Sequence, residues 1–380
     1  MFTAVAATAV VVLAVVVLAA CAYVPEPTPS PSPAGPPGVE ALDRAARLAL
    51  ATGGSALVVH AQWPSGSWDQ GYGLRTLDAP GPARPGDVVL PGTLLDSWLA
   101  VSALRLVEEG RIGLDEPLDE RLASLGLTPP RPVTLRELLS QTAEIPDLPR
   151  DPRPPAVVLN SPLTPRDVIQ RIAREPWDTS GLAPFTVTVT APAAVALLVE
   201  QLRGKPLREV FDDDIVRPLH LTGTTLGSVP GDRLLHGYGW LDAQRVDLAG
   251  REFVRAVPGG VATTAKDMAD FLSALLAGRL VGPSSVEAMK TVGLAPYGLG
   301  LWRAQDGCSL DGWLYGQRAN ALGYASVVVS TADGARTVAI AATAPVEDLD
   351  SPGPDRGKAL LSGQLWSAAK EFLDRTCTLG

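Results

Sequence analysis

The sequence predicts an α/β fold in which one antiparallel sheet is built from both ends of the folded chain, flanked by helices and interrupted by a mostly helical subdomain. Two observations carry this. β-rich runs lie near the two ends, and apolar residues recur at helical spacing through the long middle. A third bears on size: 380 residues, 46% of them hydrophobic and 19% charged, supply enough apolar material to bury one large core.

Taken in order, residues 1–20 are apolar throughout and the first charge is Glu26, the pattern of a signal peptide or a single membrane anchor. Leu18-Ala19-Ala20-Cys21 resembles the bacterial lipobox, so Cys21 is expected to carry lipid and hold the protein at the outer face of the cell membrane. Residues 21–38 form a Pro/Ser-rich linker that favours extended chain and cannot pack a core. The domain proper spans 39–380, with the helical subdomain at roughly 111–255.

Residues 39–51 alternate apolar and charged side chains with helical period, and Gly53-Gly54 stop them. Runs 56–62 and 68–75 read as a hairpin across Pro64-Ser65-Gly66, and runs 326–330 and 337–344 as a second around Ala332-Asp333-Gly334. Helical patterns occupy 94–109, 134–140, 165–173, 191–202, 206–214 and 265–277, and an amphipathic helix closes the chain at 357–375.

A net charge of −9 without a clustered basic surface argues against a nucleic-acid partner. In an exported domain Cys308 and Cys377 are an even pair, expected as one disulfide fastening the C-terminal end to a preceding loop. Two distant cysteines and three scattered histidines make a poor ligand set, so no metal and no cofactor is expected.

Several stretches carry a family resemblance. Leu104-Arg-Leu-Val-Glu-Glu-Gly110 with Leu114-Asp-Glu-Pro117 and Val133-Thr-Leu-Arg-Glu-Leu-Leu139 are similar to the serine β-lactamase and D-Ala-D-Ala carboxypeptidase family of class C type, the penicillin-binding-protein-like serine hydrolases. The similarity continues through Glu200 with Gly204-Lys-Pro206, 217–224, His236-Gly-Tyr238, Pro258-Gly-Gly260 with Asp267, Tyr297-Gly-Leu-Gly300 and Gly323-Tyr324, in family order over nearly all of 39–380. The resemblance implies a β-lactamase/transpeptidase-like fold and a serine nucleophile on the central helix.

The chemistry that it implies is not spelled by these residues. The family's Ser-x-x-Lys provides an attacking hydroxyl and a lysine that helps remove its proton. Counting back from Gly110 puts the serine position at Thr93 and the lysine position at Asp96, and an aspartate of ordinary acidity is a poor base for a hydroxyl. The tyrosine and asparagine of the family's Tyr-x-Asn fall on Val187 and Val189. The histidine or lysine of the third element falls on Gln317, with the nearest cation one step on at Arg318, a candidate anion-binding residue. His-Thr-Ser-Gly becomes Gln141-Thr142-Ala143-Glu144.

Elsewhere, Thr263-Thr-Ala-Lys266 reads as a helix cap and Lys290-Thr-Val-Gly293 as the end of a helical run. His60, His220 and His236 read as structural. Thr93-Leu-Leu-Asp96, taken without the family, is a Thr-x-x-Asp capping box. The expectation is therefore an exported, membrane-tethered family member that has lost catalysis and uses its cleft to bind a cell-wall peptide, a β-lactam-like molecule or a protein partner. The alternatives are a residual hydrolase with Thr93 as nucleophile, and an adaptor whose useful surface lies elsewhere.

Overall fold

The computed structural model describes residues 35–79, 81–148, 155–161, 163–177, 185–249, 251, 261–344, 347–348 and 356–378. The expected signal or anchor segment, Cys21, most of the linker and the Pro258-Gly259-Gly260 landmark lie outside these residues. Pro36–Gly380 forms one compact unit.

The chain opens with α1 (Val39–Ala51), β1 (Ala56–Trp63), β2 (Gly66–Thr76) and β3 (Gly81–Pro82). The central helix α2 (Leu95–Glu108) follows a single 3-10 turn at Gly92–Leu94. Next come α3 (Asp119–Leu125), α4 (Leu135–Leu139), α5 (Pro155–Val158), α6 (Pro165–Ile172), α7 (Thr190–Arg203), α8 (Leu207–Phe211) and α9 (Arg217–Leu219), with a π-turn at Asp212–Val216 before α9. The chain then makes β4 (Thr225–Leu226), β5 (Tyr238–Leu241), β6 (Gln244–Asp247), β7 (Val261–Ala262), α10 (Ala265–Leu276) and α11 (Pro283–Lys290). It finishes with β8 (Trp302–Gln305), β9 (Trp313–Ala321), β10 (Tyr324–Thr331), β11 (Thr337–Thr343), β12 (Glu347–Asp348) and α12 (Arg356–Arg375).

The main sheet has seven strands in the order β3-β2-β1-β11-β10-β9-β8, all neighbours antiparallel. Its centre joins the two chain ends, with Leu57 opposite Ala342 and Gln62 opposite Thr337. The predicted α/β architecture is thus the observed one. The hairpins differ in detail. Trp63 pairs with Gly66, so the first turn holds only Pro64 and Ser65, because both flanking residues extend the ladder.

Alternation along the strands sorts their side chains between two cores. Leu57, Val59, Val327, Val329 and Ile340 pack under α1 and α12 with Leu42, Ala46, Leu365 and Phe372. Val58, Val328, Ala339 and Ala341 face the other way, into the core of α2, α7 and α10. There Trp98 of α2 meets Phe211 edge-on at 5.4 Å and Phe271 at 5.5 Å, within a helix whose residues Ser97–Leu104 are all buried.

Cys308 and Cys377 form the expected disulfide, Cα–Cα 5.5 Å, joining the loop after β8 to the chain just past α12. Closing a loop across 69 residues of sequence stabilises the fold by about 4 kcal/mol in the chain-entropy account.

Candidate functional site

The first turn of α2 is pressed between β9 and the 297–300 loop. Gly92 has φ +57°, and a Cβ there would stand 2.6 Å from the Asn320 carbonyl oxygen. Gly300 has φ +73°, and a Cβ on it would stand 2.8 Å from the Asp96 carbonyl oxygen. Only glycine allows backbone to approach so closely from both sides. Ser97 reinforces the second contact by donating its hydroxyl to the Gly300 carbonyl at 2.5 Å.

That clamp decides what Thr93 and Asp96 do, and the capping-box expectation is overturned. Thr93 lies inside the 3-10 turn, and no side chain caps either the turn or α2. A capping residue needs extended backbone so that its oxygen can reach forward to the N–H three residues on, and a wound turn denies it. The Thr93 hydroxyl instead donates to the Arg318 carbonyl at 3.1 Å.

Asp96 turns inward. Burial pushes its carboxyl up to about 7, and the Gln141 amide and Tyr297 hydroxyl beside it only partly offset that by favouring the charged form. Tyr297 is itself held above the usual phenol range, by burial first and then by the Asp96 charge. Gln317, deeply buried, donates to the Gly300 carbonyl at 3.0 Å and towards the Tyr297 hydroxyl at 3.4 Å. Its amide oxygen accepts from the Arg318 N–H at 3.0 Å.

These bonds use up an edge that would otherwise be free. β8 ends opposite Gly316, so from Gln317 onward the outer side of β9 has no strand partner. At residue 318 the N–H is held by the Gln317 side chain and the carbonyl by Thr93. Hydroxyl, edge strand, glutamine and phenol therefore satisfy one another in a continuous chain that ends on Asp96.

Gln141 anchors the opposite wall. It adopts a left-handed φ of 60°. Its side-chain oxygen accepts from the Thr188 N–H at 3.1 Å and the Thr188 hydroxyl at 3.2 Å, its amide donates to the Thr188 carbonyl at 3.4 Å, and its carbonyl accepts from the Thr186 N–H at 3.1 Å. Glu144, at the glycine position of the family motif, also has positive φ, 54°, and is held by Arg131 at 3.2 Å. The backbone of that loop keeps a shape that favours glycine after the glycine has gone.

The segment pinned by Gln141 carries Val187 and Val189, each 49% exposed. Neither side chain can donate or accept a proton. Phe185, just before them, packs on Tyr297 at 5.6 Å and Trp302 at 5.7 Å, and Tyr297 lies 4.9 Å from Trp302.

Arg318 does not share the Gln317 face. Tyr315 and Ala319 join the α2 core and Leu314 joins the α1/α12 core, so alternation turns Gln317 towards α2 and Arg318 towards α12. The guanidinium lies 4.3 Å from the Trp302 ring centroid and 6.0 Å from that of Trp366 on α12. Burial lowers its pKa from the ordinary arginine value.

The arrangement brings Thr93, Asp96, Gln317 and the Arg318 backbone together at one turn, and leaves the two valines exposed on the segment that Gln141 pins. Among the described residues the Thr93 proton goes to a main-chain carbonyl, which is no base. Sequence reasoning had Gln141 and Tyr297 only as landmarks and Phe185 only as an anchor for counting to Val187, and missed Trp302 and Trp366. The Tyr297-Gly-Leu-Gly300 landmark was the available signal, since its second glycine makes the contact with Asp96.

The other candidates are structural. His60 is buried between Asp69 at 2.7 Å and Gln62 at 3.1 Å, and His236 pairs with Asp247 at 2.6 Å. His220 ends α9 at φ 52°. In the 263–266 run the cap is Thr264, which accepts from the Asp267 N–H at 3.1 Å, while Thr263 pairs with Val89. Lys290 is the last residue of α11. Among the described residues no group of three or more His, Cys, Asp or Glu is placed to hold a metal, and no helix is long and apolar enough to cross a membrane.

Comparison with known proteins gives the family and the fold. The family model described as Beta-lactamase matches residues 44–361. The D-stereospecific amidohydrolase from Streptomyces sp. is 23% identical with a TM-score of 0.70, covering 86% of this chain and 97% of its own. The D-amino acid amidase from Ochrobactrum anthropi SV3, complexed with D-phenylalanine, is 18% identical with a TM-score of 0.72, covering 90% and 99%. The octameric penicillin-binding protein homologue from Pyrococcus abyssi is 18% identical with a TM-score of 0.64, covering 89% and 79%. At these identities the similarity is one of fold.

Proposed function

The chain belongs to the beta-lactamase family, and from that premise we propose that it is a member that forms no acyl-enzyme and uses its cleft to bind. The observation that carries the reading is the closed hydrogen-bond chain from Thr93 through Arg318, Gln317 and Tyr297 to Asp96. Acyl transfer needs a hydroxyl aimed at a base and an edge open to substrate. Here the hydroxyl is spent on a carbonyl, the lysine position holds an acid, and the tyrosine position holds an exposed valine.

The apolar residues 1–20, the Leu18-Ala19-Ala20-Cys21 motif and the Pro/Ser linker support an extracytoplasmic protein tethered to the membrane by lipid or helix. That location, and the amide-directed names of the structural neighbours, make a cell-wall peptide or a protein at the cell surface the fitting partner. Incubation of the intact protein with a labelled penicillin and a fluorophosphonate, followed by whole-protein mass, tests the reading: unmodified mass is expected, and a stoichiometric adduct on Thr93 overturns it.

One observation favours a second reading, a residual hydrolase. The Asp96 carboxyl, pushed to about 7, lies in the range of a general base two positions past a partly exposed threonine hydroxyl's own turn. Its approach by Gln141 and Tyr297 weighs against that role. Turnover of an ester or D-amino acid amide that disappears in Thr93→Ala is the result that establishes it.

A further inference from the structure

The disulfide joins two sulfurs with different surroundings. Cys308 is half-buried, whereas Cys377, two residues past the end of α12, is exposed. The Arg336 guanidinium, from the turn between β10 and β11, is aimed at Cys308: its Nη1 donates to the Leu373 carbonyl at 2.7 Å and lies 3.4 Å from the Cys308 Sγ. Other arginines of this acidic chain meet carboxylates closely, Arg136 with Asp115 at 2.6 Å and Arg203 with Glu109 at 2.8 Å. Arg336, whose side chain is only 12% exposed, has Asp306 at 3.9 Å. A largely buried cation thus spends part of its donor capacity on sulfur.

The groups around Cys308 leave that contact in place. Asp306 Oδ1 accepts from the Cys308 N–H at 2.9 Å, and Asp374 accepts from the Gly307 N–H at 2.9 Å and from the Lys370 ammonium, so both carboxylates are turned to other donors. The Gln305 amide braces the loop by donating to the carbonyls of Ser309, Leu310 and Gly312 at 3.2, 2.9 and 3.0 Å. Cys308 is therefore held beside Arg336 by bonds that do not need the disulfide, while Cys377 lies on the short tail that follows α12.

We propose that this disulfide is a modification site for a low-molecular-weight thiol, which attaches to Cys377 and displaces Cys308 as a thiolate held against Arg336. The incoming thiolate attacks the exposed Cys377 Sγ. Its own S–S bond to Cys377 forms as the Cys308–Cys377 bond breaks, and the electron pair leaves on Cys308. One thiolate is consumed and one is released, so no further oxidant or reductant enters. A cation beside a sulfur favours its thiolate, and the better-stabilised thiolate leaves faster, which sets the direction. The product carries the small thiol on the C-terminal tail and no longer ties the loop after β8 to that tail, whatever the cleft binds.

The test exposes the folded full chain to millimolar reduced glutathione, with Cys21→Ser throughout so that only the disulfide pair can react. Excess N-ethylmaleimide stops the reaction at successive times and caps whichever sulfur has been released, and peptide mass spectrometry locates both labels. Glutathione should stand on Cys377 and maleimide on Cys308, in excess of the reverse by at least about threefold. One charge-assisted contact shifts the thiolate equilibrium by about tenfold, and roughly half of that, on a logarithmic scale, is felt in the rate of departure. Arg336→Met should lower the ratio by about threefold, Arg336→Lys should keep most of it, and in concentrated urea both sulfurs should be taken equally. Equal labelling of the folded chain, glutathione chiefly on Cys308, no uptake at all, a ratio unchanged in Arg336→Met, or one that Arg336→Lys lowers as far as Arg336→Met does, overturns the proposal.

Discussion

The same local pattern, a threonine three residues before an acid, stands at four helix starts and does three different things. At α4, Thr134 and Glu137 make a full capping box, as do Thr164 and Asp167 at α6. At α10, Thr264 caps the helix, but Asp267 turns away to accept from the Thr224 hydroxyl at 2.7 Å. At α2 neither half forms: Thr93 reaches β9 and Asp96 faces Tyr297. The motif is identical in kind, so the difference comes from what surrounds it. Where a helix starts at the surface, local capping wins; where it starts against a sheet edge and a glycine loop, tertiary partners outcompete the cap.

The largest expected effect comes from removing the partner that makes α2 different. Gln141→Ala leaves the Thr188 N–H and the Asp96 carboxyl without the groups that satisfy them, and should cost about 3 kcal/mol, read as a lower denaturant midpoint at unchanged slope. A threonine-cap account of α2 would predict almost no change.

Next is the pH dependence of Asp96. Its carboxyl titrates at about 7 when folded and near 3.8 when unfolded, so between those values the folded protein holds the extra proton. Stability from this group is therefore fully present below about pH 4 and is lost as pH rises through about 7. Partial solvent contact limits the loss to roughly 2 kcal/mol. Asp96→Asn should flatten that slope, becoming more stable than the parent at pH 8 while gaining little at pH 4. The capping acid Asp167 behaves oppositely: it is held below the usual carboxylate range, chiefly by its bond from Thr164, and its contribution to stability should be lost as pH falls.

Smaller effects sharpen the contrast among the threonines. Thr134→Ala and Thr164→Ala should each cost about 1 kcal/mol of stability, the ordinary loss of an N-cap. Thr93→Ala should cost about half as much, one hydrogen bond to a carbonyl that water can then reach. A thermal-melt series across these variants ranks them; equal losses at all sites would mean that Thr93 caps in solution after all.

The sequence was most informative where structure depends on near neighbours. Periodicity located α2, α6, α10 and the two hairpins to within a few residues, because each is specified by its own apolar pattern. The Cys308–Cys377 pair followed from simple parity. The site was legible as a set of substitutions, Thr93, Asp96, Val187, Val189 and Gln317, but not as a network. Gln141 meets Asp96 only after α4 has packed, and Tyr297 arrives from beyond α11, so no local rule could join them. Arg318 shows the limit well: its residue type suggested an anion site, whereas its direction, towards α12 and two tryptophans, depends on strand register.

The junction of β1 with β11 has a kinetic meaning. Residues 57–62 cannot find their β11 partners until synthesis has passed residue 342, and both hydrophobic cores are incomplete until then. Early strands must wait with one edge bare while the intervening chain emerges, far longer than a local hairpin waits. Folding should be slow and governed by chain completion, and truncations that remove β11 should leave β1 and β2 prone to association through that bare edge.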